Sequence, residues 1–424
     1  MSLALGLPDI DATGDGWRLT WADLGLRMYA ARVRESSDGV KALLTFEGES
    51  GSRMYGPVNA NLTSARSHTE IANACAKRVN SLKSDDWFGL VSYGSAIVVK
   101  KWAAGPELEM LGSADRPFAP PEVLVPGFLP LDETTAVYGD GEGGKSLAVL
   151  LVGMCCAAGV ALPWGVTPTR RTNVLYLDFE TTSDTIHSRL VRLALGYGIE
   201  PPPIHYLRPE YGLVDSIDAI RRHVVEQQVG LVIVDSLSAA AKGSLNDDEC
   251  ARITANALRT IRATRLVVEH VSRDSALARN GRVDAYGSIF WRNLVRACWE
   301  IRKAEHAPQD VLSLGLYCRK RNDGPRWPDR VLRFRFDGED GPIHCERGDV
   351  RDSPDLLART SLTTRIREQL RQGAMPLDSL AEALGEKSGR VKDAIKHMRD
   401  VGRVQGGADG RGNAGVYGLL SDGH

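Results

Sequence analysis

The sequence predicts an α/β protein built on a mostly parallel β-sheet, with a small α+β domain before the core and a helical module after it. Three observations predict this. A glycine-rich loop at 139–146 separates an apolar, strand-like entry from an apolar helix. Beyond it, strand-like runs alternate with helical ones, which implies a parallel sheet covered by helices on both faces. Past residue 360 the pattern becomes three short helices and two strands around a Gly-rich turn.

Composition bounds the rest. With 424 residues the chain has room for two or three domains. A hydrophobic content of 43% and a charged content of 25% are those of a globular protein. The net charge of −1 points to no polyanionic partner, so any basic binding surface must be local. The longest apolar run, 147–154, is far short of the roughly 18 residues of a membrane span. The first residues, MSLALGLPDIDATGDG, have no basic flank and no signal-like core. The expectation is a cytoplasmic protein with no membrane partner. Seven cysteines without C-x-x-C spacing read as reduced thiols rather than zinc ligands or disulfides.

Taken in order, residues 1–112 read as a small α+β domain. Apolar stretches at 39–46 and 96–102 look like strands, and 67–83 looks like a helix. Ser67 and Glu70 fit a capping box there. Residues 103–124 hold four prolines and few large apolar side chains; the linker is placed at 113–124. Residues 125–350 form the core. Its strands are predicted at 135–138, 173–179, 230–234 and 265–268, with a helix at 185–195. Residues 361–424 form the C-terminal module, with helices at 363–371, 376–384 and 388–401 and a hairpin after them.

The loop carries the chemistry. Gly139, Gly144, Lys145 and Ser146 fit a glycine, four residues, then Gly-Lys-Ser. Within it Asp140, Gly141, Glu142 and Gly143 let successive backbone N–H groups face one phosphate. Lys145 reaches the outer phosphates, Ser146 holds Mg²⁺, and Leu147 opens a helix whose positive end points at the anion. The same residues spell G-x-G-x-x-G, but the dinucleotide reading wants an acid about 20 positions on. The first acid ending a strand is Asp178, 34 positions past Gly144, and Lys-Ser behind the last glycine favours a triphosphate.

Each later core strand ends in polar residues, and ligands of such sheets sit beyond the carboxyl ends of the strands. Asp235 directly follows one apolar strand, where a carboxylate holds Mg²⁺. Glu180 follows another, the strand expected to lie near the loop, and is the candidate to orient or deprotonate the attacking water, with Asp178 as its rival. His270 ends a third and is a candidate sensor of the γ-phosphate.

These blocks together resemble the RecA-like ATPase superfamily, in its RepA-type hexameric helicase branch, related to DnaB helicases and KaiC. The resemblance covers 121–336 and rests on GDGEGGKS, VLYLDFETTSDTIHSRL, LVIVDSLSAA, VVEHVSRD, YGSIFWRNLVRACWEI and YCRKRNDGP in that order. It implies that Lys145 and Ser146 bind phosphate and metal, that Asp235 is the second acidic motif, and that Glu180 activates water. Where the family has His-His and a later Lys, this chain has Glu269 before His270, and Arg273. CRKRNDGP resembles the segment that reaches a neighbouring subunit's nucleotide, which makes Arg319, Lys320 and Arg321 candidates, Arg321 favoured. The loops 237–252 and 272–288 are candidates to touch a polynucleotide, and the second, with Arg273, Arg279 and Arg282, resembles the central-pore DNA loops of that family.

The C-terminal module looks like a winged helix, with Lys387, Arg390, Lys392, Lys396 and Arg399 in or beside its third helix and Arg403 and Arg411 flanking the wing. The resulting expectation is an ATP- and Mg²⁺-dependent motor on DNA, self-associating into a ring, in the replicative-helicase manner, and binding single-stranded DNA through core loops and duplex through the winged helix. A RecA-like recombinase or recombination mediator and an ATP-gated DNA-binding regulator are the alternatives.

Overall fold

The computed structural model describes residues 6–79, 82–105, 111, 119–141, 143–270, 293–400, 403–407 and 416–420. The first unit is an antiparallel meander: β1 (Asp9–Thr13), β2 (Gly16–Trp21), β3 (Leu26–Ser36), β4 (Gly39–Gly48) and β5 (Arg53–Asn61) lie in sequence order. In β4 every second residue, Val40, Ala42, Leu44 and Phe46, is buried, as a sheet with one covered face requires. The cover is α1 (Ala65–Ala76) and α2 (Ser84–Ala104), whose Ile71, Trp87 and Leu90 join the same core.

Two expectations for this unit are corrected. The stretch 96–102 is not a strand but the last part of α2. Its β-branched run Ile97–Val98–Val99 imitates a strand, yet Leu90, Val91, Gly94, Ser95 and Val98 are buried at helical spacing, and packing overrides propensity. The helix expected over 67–83 ends at Ala76, and its cap is Ser64, which accepts from the Ser67 amide at 3.4 Å. Glu70 pairs with Arg66 instead.

Of the expected linker, 113–118 lie outside the described residues, and Val123 and Leu124 already open β6 (Val123–Val125). That strand pairs with β7 (Leu129–Pro130). The core follows. β8 (Thr134–Gly139) leads through the loop into α3 (Lys145–Ala158); β9 (Asn173–Asp178) is followed by α4 (Ser183–Tyr197) and β10 (His205–Leu207). Then come α5 (Leu213–Glu226), β11 (Val229–Asp235), the short α6 (Leu237–Ala240), α7 (Asp248–Arg259) and β12 (Thr264–His270). Four strands complete the sheet: β13 (Ala297–Lys303), β14 (Val311–Arg321), β15 (Arg330–Phe336) and β16 (Ile343–Gly348).

The strand order is β10-β9-β11-β12-β8-β13-β14-β15-β16. β10 to β13 run parallel and the remainder antiparallel. The architecture is thus α/β with a mostly parallel sheet. Both faces of the parallel part are covered, which is why its strands are apolar throughout. Val174 and Tyr176 of β9 and Leu231 and Ile233 of β11 face the core under α3 and α4. Leu175, Leu177, Val232 and Val234 face the core under α5 and α7. α3 is buried over nearly its whole circumference, which explains its lack of a polar stripe.

The last segment runs through α8 (Pro354–Ala358), α9 (Leu362–Arg371), β17 (Met375–Pro376), α10 (Leu377–Leu384), α11 (Ser388–Asp400), β18 (Val404–Gly407) and β19 (Val416–Leu419). The strands form a small sheet in the order β17-β19-β18. Ile366, Leu370, Leu380, Val391, Ile395 and Met398 make its separate core. Among the described residues, no helix is long and apolar enough to cross a membrane.

Candidate active site

The sheet register aligns the strand ends in one row. Gly139 of β8 pairs with His270 of β12, and Asp235 of β11 pairs with Asp178 of β9. Since β12 joins β8 to β11, the polar tips continue directly from the glycine loop. Sequence reading expected β9 to lie near the loop strand. Instead β11 and β12 stand between, a lateral separation of about 14 Å for three strand spacings. Glu180 bridges part of that gap because it sits in the turn beyond the strand, not in it.

The loop itself is fitted to β13 and β14. A Cβ on Gly139 would run into the Ile301 carbonyl, and one on Gly144 would press on Leu312 and Leu314 at 2.9–3.2 Å. Gly144 also has φ +73°, a conformation that favours glycine. Lys145, only 5% exposed, turns its Nζ onto the carbonyls of Gly139 (3.1 Å) and Asp140 (2.6 Å). Burial pulls its ammonium below the ordinary lysine range, opposed by the charges of Asp235, Glu180 and Asp140. Glu142 lies outside the described residues; Gly141 and Gly143 complete the loop, and Leu147 is buried in α3.

Asp235 is 3% exposed. Its Oδ2 accepts from the Tyr176 phenol at 2.5 Å, while Oδ1 has no hydrogen-bond partner of normal geometry among the described residues. Burial pushes this carboxyl above its ordinary range, with Tyr176 and the nearby Ser146 hydroxyl opposing. A buried carboxylate oxygen left open beside a serine hydroxyl fits a cation shared with phosphate oxygens. The described residues hold no cluster of three or more His, Cys, Asp or Glu that could bind a metal alone. Mg²⁺ is commonly held through one or two protein ligands, a role the Ser146 hydroxyl and Asp235 would fit.

The two acids after β9 divide sharply. Asp178 is fully buried, accepting from the amides of Glu180 (3.0 Å) and Thr181 (2.9 Å) and from the Tyr206 hydroxyl (3.1 Å). It shapes the turn and has no oxygen to spare. Glu180 is partly exposed, and its Oε1 accepts from Ser236 Oγ and meets His270 Nε2 at 3.0 Å. His270 above all holds the Glu180 carboxyl below its usual range, with Ser236 and Lys145 adding to the effect against burial. Glu180 is therefore ionised, accessible and within the field of Lys145.

A second ionic chain, which sequence reading missed, starts at the loop. Arg302 on β13 donates to Asp140 and, at 2.7 Å, to Glu300; Glu300, 1% exposed, also accepts from Arg319 Nε at 2.7 Å. Arg319 donates further to the Arg359 carbonyl and stacks on Tyr317. The available signal was local: Glu300 and Arg302 stand two apart in an otherwise apolar strand, so they share a face. Of the candidate basic residues, Arg319 is thus engaged within its own chain. Lys320 donates to the Val295 carbonyl at 2.7 Å. Arg321 lies over the Trp327 ring and donates to the Pro325 carbonyl. It pairs with Ala297, which pairs with Thr135, at the opposite end of β8 from the loop. That end is about 13 Å along the strand from Gly139, too far for Arg321 to serve its own loop. Arg273, Arg279 and Arg282, with the loop 272–288, lie outside the described residues, as does Arg411.

No curated protein matches the chain. Among solved structures, a KaiC-like protein from the hyperthermophilic archaeon Pyrococcus horikoshii OT3 is similar over 55% of this chain and 98% of that one, at 13% identity and a TM-score of 0.37. Residues 106–276 match the family model described as AAA domain. That span holds the glycine loop, Glu180, Asp235 and His270, and it is similar to that family.

Proposed function

We propose that the chain is an ATP-driven DNA motor of the replicative-helicase type, hydrolysing MgATP where copies meet in a ring, with six the expected number. The observation that carries this reading is the row of polar strand tips running from the glycine loop through His270 and Asp235 to Glu180. Lys145 leaves its loop carbonyls for the outer phosphates. Ser146 and Asp235 would hold Mg²⁺, which would supply neutralisation of charge on the phosphate oxygens. Glu180 accepts a hydrogen bond from the attacking water and aligns it. His270, bonded to Glu180, links that alignment to the γ-phosphate. Arg321 of a neighbouring copy completes the site, favoured over Arg319 because Arg319 is held by Glu300.

DNA contact is supported by the C-terminal module, whose three helices and small sheet suit a winged helix. Lys387, Lys392, Lys396 and Arg399 are exposed in or beside α11, while Val391, Ile395 and Met398 turn inward. This exposed basic helix also favours a second reading, an ATP-gated regulator that grips duplex DNA and hydrolyses slowly.

The test is the ATPase rate with and without single-stranded DNA, alongside the mass of the assembly. Stimulation by single strands in a closed ring supports the motor. Open filaments on single strands point to a recombinase. Tight duplex binding with slow, unstimulated turnover points to the regulator.

A further inference from the structure

The first unit docks on the core and leaves a cleft of about 940 Å³ between them. Docking is close: a Cβ on Gly14 would collide with the backbone of Arg221 in α5. Asp15, buried, accepts from Arg222 at 3.0 Å, and Arg32 pairs with Asp218 at 3.1 Å. These contacts spend both acids of the cleft on docking. Arg34, Lys101 and Arg262 remain on its walls, exposed and without an ion pair among the described residues. Trp17 and Trp102, half-buried against the core of the first unit, also line the cleft.

The cleft is held in shape. β3 bulges between Ala31 and Arg34, and Arg32 there has φ +53°, a strained value for a side-chain-bearing residue. Its amide donates to the Asp15 carbonyl at 2.9 Å, which ties the bulge to the docking turn. Bulges of this kind re-aim side chains, here into the cleft. Arg262 stands two residues before β12, so the cleft lies at the amino-terminal end of the sheet. The seven residues of β12 put it about 20 Å from the phosphate loop. It belongs to a different site.

We propose that this cleft binds a segment of single-stranded DNA, with Arg34, Lys101 and Arg262 on successive phosphates and a base stacked on Trp17 or Trp102. A positively charged groove combined with aromatic platforms is the chemistry that holds single strands without reading their sequence. The proposal rests on the DNA-motor reading for its choice of polymer, and it gives residues 1–112 a role: they form one wall of a strand-binding groove remote from ATP.

The test measures binding of labelled oligo-dT of about 20 nucleotides to the full chain across a salt series. In the triple variant Arg34→Glu, Lys101→Glu, Arg262→Glu, affinity falls at least about tenfold and the salt slope shrinks by about 2, the value for three lost single-strand phosphate contacts. Its DNA-independent ATPase stays at the parent level, which shows that it folds. A companion Arg34→Lys, Arg262→Lys variant keeps its affinity. Unchanged binding and slope in the triple variant, with the parent binding DNA and stimulated by it, overturn the cleft alone. A parent with neither binding nor stimulation overturns the motor reading as well. If ADP displaces the oligonucleotide from Lys145→Ala protein, the cleft takes free nucleotide, and the strand proposal is overturned.

Discussion

Replacing Glu180 by glutamine tests the catalytic reading most directly. Gln is isosteric, and its amide oxygen can still accept from Ser236 or His270, the partners Glu180 has now. Lys145, Ser146 and Asp235 are untouched, so MgATP affinity should hold or rise, because one negative charge near Lys145 is removed. What disappears is an ionised acceptor for the proton of the attacking water. A positioned general base contributes about 10²–10⁴ in rate, or about 3–5 kcal/mol of barrier. The assay pairs single-turnover phosphate release with binding of a fluorescent ATP analogue. Turnover within about tenfold of the parent would falsify the assignment of Glu180 as base. Lost nucleotide binding would equally refute it, since the side chain would then be part of the binding frame.

Mixing Arg321→Ala with Lys145→Ala protein, each inactive alone, should restore some ATPase at mixed contacts; no recovery at any ratio argues against a site shared between copies. His270→Ala removes the main influence holding the Glu180 carboxyl low, so its pKa rises. Ionised base is then lost at higher pH on acidification, and the acid limb of the kcat profile should move up; an unmoved limb refutes the coupling. Tyr176→Phe leaves Asp235 Oδ2 without its donor, at a cost of about 1–3 kcal/mol in a denaturant titration, and should raise the Mg²⁺ needed for half-maximal rate. Glu300→Ala strands the buried Arg302 and should destabilise by about 3–5 kcal/mol in urea; a loss under about 1 kcal/mol would show that the ionic chain contributes little.

Much of the core was legible in the chain because its signals are local. The glycine loop needs its residues at fixed spacing, and the runs through Asn173, Leu231 and Arg265 are apolar on both faces because helices cover both. The structure finds β9, β11 and β12 at those places, with Asp235 ending its strand as expected. The helix expected over 185–195 is there as α4, one turn or less longer at each end and capped by Gly198. The stretch 96–102 misled because β-branched residues there suit a strand, while the stripe that makes it a helix begins earlier, at Trp87.

Contacts between distant segments belong to tertiary structure alone. The amides of Glu180 and Thr181 reach Asp178 locally, but nothing near it in sequence says that the Tyr206 hydroxyl takes its other oxygen and leaves Glu180 as the accessible acid. The Tyr176 phenol on Asp235 spans 59 positions, and the Arg302 bond to Asp140 spans 162. The chain favours Arg321 over Arg319 by motif, but only the fold shows that Glu300 holds Arg319 while Arg321 lies over Trp327. Residue type and short-range spacing fix which groups can do chemistry. The pairing of strands far apart in the chain decides which of them keep a free oxygen or a free charge.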